Sequence, residues 1–66
     1  MSRFTIDVDD QFDRLLAELA AEKGSTKASV VRDAVASYAY LKREQKGGRT
    51  VSVTEGDVIV KDVVLP

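Results

Sequence analysis

Met1-Ser2-Arg3-Phe4-Thr5-Ile6-Asp7-Val8 alternates polar and apolar side chains, and the fold of the chain follows from it. A period of two is that of a strand, with Phe4, Ile6 and Val8 on one face and Arg3, Thr5 and Asp7 on the other. Two amphipathic helical stretches follow directly, so no neighbouring strand is available to pair with it. A lone strand leaves its backbone donors and acceptors without a ladder and its apolar face without a core. A second copy of the same chain supplies both. Two copies paired antiparallel would project Arg3, Thr5 and Asp7 together from one face of a two-stranded ribbon, a shape that fits the DNA major groove. The alternative is pairing with a later strand of the same chain, which gives a monomeric α+β domain and no such ribbon.

Size favours the first arrangement. A chain of 66 residues makes one domain that buries a small share of its surface and needs outside stabilisation. It has no Cys and no His, so neither disulfides nor the usual thiolate and imidazole metal ligands can provide it. Oligomerisation is the remaining route. The same two absences remove the strongest nucleophile and the usual base at neutral pH, which argues against an enzyme. Apolar runs such as Val58-Ile59-Val60 are far too short to span a membrane, and the N-terminus does not read as a leader; a cytoplasmic protein is expected. The net charge of −1 weighs against a large basic footprint of the kind that many nucleic-acid binders carry.

Asp9 or Asp10 can cap a first helix whose apolar positions Phe12, Leu15, Leu16, Leu19 and Ala20 fall at helical spacing. It closes near Lys23, with Gly24 suited to the left-handed position that ends helices. Ser25-Thr26 then offers a second cap. Val30, Val31, Ala34, Val35, Tyr38 and Leu41 mark the stripe of a second helix running to about Lys46, with Tyr38 in the core and its hydroxyl at an edge. Gly47-Gly48 breaks that helix, and the Val-rich alternation after it reads as a β-hairpin. A two-residue loop at Glu55-Gly56 would set Val51 opposite Val60 and Val53 opposite Val58, although Glu suits the positive φ of a type I′ turn poorly; a longer loop shifts the register by one. Val63-Val64-Leu65-Pro66 is exposed apolar sequence unless something covers it.

The order strand, helix, Gly-containing turn, helix resembles the ribbon-helix-helix family of bacterial repressors. The residues that carry the likeness are the ribbon Arg3-Phe4-Thr5-Ile6-Asp7-Val8, the cap Asp9, Leu16 and Leu19, the turn Gly24-Ser25-Thr26-Lys27, and Val31, Val35 and Tyr38. The resemblance implies a mainly α fold with short β, an intertwined homodimer with an antiparallel intersubunit ribbon. Residues 1–46 would form the DNA-binding and dimerisation domain, and 47–66 a C-terminal β-hairpin extension outside the shared pattern. It also implies base contacts from Arg3, Thr5 and Asp7, and phosphate contacts from Ser25, Thr26, Lys27 and Ala28 at the start of the second helix. The physics of helix N-termini supports anion binding there independently. Asp7 departs from the basic or neutral residue common at the third ribbon position; a carboxylate is repelled by phosphates but accepts a hydrogen bond from cytosine N4.

The expected function is a homodimeric, sequence-specific repressor of double-stranded DNA. One alternative is an antitoxin whose C-terminal hairpin binds a toxin protein by strand addition. Another is a dimeric interaction protein that binds no DNA. The basic cluster Lys42, Arg43, Lys46 and Arg49 could touch flanking DNA, or simply complement the negative end of the helix. Asp9, Asp10 and Asp13 at a helix start have a structural explanation, so no metal or other cofactor is expected.

Overall fold

The first helix begins where an aspartate can cap it. In the computed structural model, which describes residues 3 and 5–66, Asp9 is extended (φ −75°, ψ 169°) and accepts the Phe12 N–H on Oδ1 at 2.8 Å. Helix α1 then runs Asp10–Lys23, with Asp10 and Asp13 in its first turn and Lys23 in its last, each placed to suit the helix dipole. Gly24 ends it at φ 67°. Its N–H donates to Ala21 O at 3.1 Å, and the next N–H, of Ser25, donates to Ala20 O at 2.9 Å, the Schellman arrangement. Open space surrounds the position where a Gly24 Cβ would stand. Gly24→Ala is therefore expected to cost about 1–2 kcal/mol through backbone conformation alone, measured as a lower midpoint in urea unfolding.

Helix α2, Lys27–Lys46, opens on Thr26, whose Oγ1 accepts the Ser29 N–H at 3.1 Å. It ends as α1 does: Gly48 at φ 87° donates to Gln45 O at 3.0 Å, and the Arg49 N–H donates to Glu44 O at 3.1 Å. Two strands follow, β1 Ser52–Glu55 and β2 Val58–Asp62, as an antiparallel hairpin.

The register corrects the sequence reading. The loop is Gly56-Asp57, not Glu55-Gly56. Glu55 pairs with Val58 and Thr54 with Ile59; an irregularity then brings Val53 opposite Lys61 and Ser52 opposite Asp62. Gly56 carries positive φ at the first loop position and no non-glycine residue among those described does, the sign pattern of a type II′ turn, so Glu55 is relieved of a conformation it takes poorly. The shift leaves Val60 as the extra residue of a bulge in β2. Ser52 Oγ donates to Asp62 Oδ1 across the strands at 2.8 Å, and the Val63 N–H prolongs the ladder to Val51 O at 2.7 Å.

The chain divides into two compact units, Met1–Asp33 and Ala34–Pro66. In the first, Ala20 is the one buried residue among those described, while Phe12, Leu15 and Leu19 on the apolar stripe of α1 stay 49%, 51% and 42% exposed. Residues 5–8 lie in no helix or strand, and the sheet holds no strand besides β1 and β2 among the described residues. Met1, Ser2 and Phe4 of the expected strand lie outside the described residues.

In the second unit the tail is tied to α2. Tyr38 Oη donates to the Pro66 main-chain oxygen at 2.8 Å, Lys42 Nζ reaches the same oxygen at 3.4 Å, and Lys42 lies 5.7 Å from the centre of the Tyr38 ring. Val63 and Leu65 are half-buried and Val64 is exposed, the alternation of an extended segment with one covered side. Tyr38→Phe keeps the ring and removes the donor. It is expected to loosen the tail by about 0.5–1.5 kcal/mol, read as faster hydrogen exchange at residues 63–65 with little change in α1.

Candidate nucleic-acid interface

The sequence places its base-contact candidates on the segment entering α1. Arg3, Thr5 and Asp7 are all exposed, and the alternation that puts them on one side leaves Ile6 and Val8 on the other, 49% and 39% exposed. The segment is left unpaired among the described residues. Its backbone has no ladder partner among the described residues, and Ile6 and Val8 are exposed, as are Phe12, Leu15 and Leu19 of α1.

The phosphate-contact candidates form the turn into α2, and their atoms are committed differently. The Ser25 N–H is used in closing α1, so only its side chain is left to approach a ligand. Thr26 Oγ1 accepts from Ser29 as the cap, which leaves its O–H free to donate. Lys27 and Ala28 hold the first two helical positions, where an N–H has no intrahelical partner, and no other acceptor takes them among the described residues. With the helix dipole behind them and no acidic residue in the first turn of α2, these amides favour an anion. The Lys27 ammonium is already engaged, with Nζ donating to Asp13 Oδ1 of α1 at 2.8 Å.

A second pair crosses the same turn. Lys23 of α1 is bridged to Asp33 of α2, and its Nζ also lies 3.4 Å from Ser29 Oγ. Sequence reading missed both cross-turn pairs. Partners separated by ten and fourteen residues carry no helical spacing that would announce them, although opposite charges flanking so short a turn were the available signal.

Of the acidic group near the start of α1, Asp9 caps the helix and Asp13 pairs with Lys27. Among the described residues no cluster of three or more acidic side chains is placed to hold a metal ion. Of the basic cluster further on, Arg43 and Lys46 occupy the last turn of α2, Arg49 Nη1 pairs with Glu44 Oε2 at 3.0 Å, and Lys42 serves the tail. Among the described residues no helix is long and apolar enough to cross a membrane.

Comparison with known protein families matches residues 2–42 to the model of the ribbon-helix-helix proteins of the copG family, more than half of the chain. Neither the curated proteins nor the solved structures gave a match.

Proposed function

The chain belongs to the copG family of ribbon-helix-helix proteins, and from that premise we propose that it is a homodimeric, sequence-specific repressor that inserts an antiparallel β-ribbon into the major groove. Members of this family are DNA-binding dimers, generally transcription regulators or antitoxin-type proteins and typically without enzymatic activity. The observation that carries the proposal is what the single chain leaves uncovered: an alternating N-terminal segment without a ladder among the described residues, and an α1 stripe of Phe12, Leu15 and Leu19 left about half exposed. Pairing two such segments satisfies the backbone, and bringing the helices of two copies together covers the stripe. In the dimer Arg3, Thr5 and Asp7 of each copy read bases, while Thr26, Lys27 and Ala28, with Ser25 beside them, hold phosphates. The repressor acts in the cytoplasm by occluding a promoter, and neighbouring dimers bind adjacent half-sites because one ribbon covers few base pairs. Residues 1–46 do this work and 47–66 form a separate extension.

The hairpin gives a second reading some support. Val58, Ile59, Val60 and Val64 are exposed, as a strand offered to a toxin protein would be. The ordered hairpin and the anchoring of Pro66 on Tyr38 and Lys42 favour the repressor, since a capture segment gains from being free.

Sedimentation and DNA titration test the DNA-binding ribbon on which the repressor reading stands. A dimeric mass, with binding to the duplex upstream of its own coding sequence that weakens steeply with salt, supports the repressor. A stable monomer at micromolar concentration sinks the ribbon. A dimer without salt-sensitive DNA binding leaves an interaction protein.

A further inference from the structure

We propose that Asp13 is a built-in competitor of DNA phosphate for Lys27, so that docking at the start of α2 requires the Lys27 ammonium to exchange one anion for another. The inference rests on the DNA-binding reading above and concerns how strongly that site is held back. Lys27 stands at the first position of α2, beside the uncommitted amides of Lys27 and Ala28, and its Nζ is 2.8 Å from Asp13 Oδ1. Both partners are about half exposed, at 50% and 51%. A pair this exposed is weak enough for a phosphate to displace.

Sharing the ammonium is unfavourable, because the carboxylate and the phosphate then sit within a few ångströms of each other and repel. Asp13 is not needed to start its own helix. Asp9 supplies the cap and Asp10 a second acid in the first turn. Its charge is therefore free to set the affinity of the site, and it lowers it.

The test is fluorescence anisotropy of the full chain at fixed low salt, on the duplex upstream of its coding sequence and on a mixed-sequence duplex. Asp13→Asn is expected to tighten both about three- to tenfold. In a Lys27→Gln background the same substitution should change affinity by less than about twofold, the ordinary scatter of independent sites. Asp10→Asn, which removes the same charge one turn away from no known pair, should also stay within about twofold. Asp13→Ser, with its thermal melt alongside, repeats the measurement in a second uncharged variant.

Unchanged or weakened binding by both Asp13 variants overturns the competition, and so does equal tightening in the Lys27→Gln background, which would mean a general charge effect. If the unsubstituted protein binds neither duplex in a salt-sensitive way, the DNA reading itself fails, and the inference with it. That outcome is distinct from salt-sensitive binding that Asp13 does not influence.

Discussion

Leu15→Asp is expected to abolish the proposed dimer and, with it, most of the folded structure. Leu15 lies at the middle of the α1 stripe between Phe12 and Leu19, and each of the three is left about half exposed within one chain. Leu15 is half exposed in the single chain, so covering the rest of it on association contributes about 1 kcal/mol per copy. A carboxylate in its place adds a desolvation cost to that loss, and a symmetric dimer suffers it twice. The sum exceeds about 4 kcal/mol, a large part of the 5–15 kcal/mol that holds small folded proteins together. Sedimentation equilibrium and circular dichroism should show a largely unfolded monomer at concentrations where the parent chain is a dimer whose midpoint rises with concentration. A variant with the parent's mass and melting midpoint would mean that the α1 stripe is not the interface.

Arg3→Ala is the second large effect, and it falls on recognition and leaves stability alone. Arg3 is exposed in the N-terminal segment and, in the proposed ribbon, is the one side chain with two donors to offer guanine O6 and N7. Its loss should cost about 1–3 kcal/mol of specific binding at each half-site, roughly ten- to a hundredfold, while binding to a mixed-sequence duplex changes far less. The expected signature is a collapsed ratio of specific to non-specific affinity at constant salt, with the thermal midpoint unmoved. An unaltered ratio would remove the ribbon from base recognition. Asp7 belongs to the same measurement: Asp7→Asn should raise affinity for mixed-sequence DNA, where a carboxylate finds only repulsion, and lower discrimination wherever it had accepted from cytosine.

The parts of the fold that were legible in advance are those decided within a few residues. Asp9 three residues before Phe12, Gly24 after Lys23, Thr26 three before Ser29 and Gly48 beyond Lys46 are each closed by a local hydrogen bond or a local φ. Residue type alone limits what can stand there. The hairpin was legible as a hairpin and misread in register, because a one-residue choice of loop depends on where Gly56 places its positive φ and on the bulge at Val60, neither of which the alternation of Val residues specifies. Within the candidate site, the cap and the free amides followed from helix physics. The engagement of Lys27 by Asp13 did not, since the two meet only once the chain has turned.

By itself, then, the sequence determined two capped helices, their glycine stops and a terminal hairpin, and it marked an alternating N-terminal segment; all are set by backbone chemistry acting over a turn or less. Tertiary structure decided which charged groups are left for a ligand. It spends Lys27 on Asp13, Lys23 on Asp33 and Lys42 on the tail, because ion pairs between residues ten or more positions apart depend on the path of the chain between them, and composition does not encode that path.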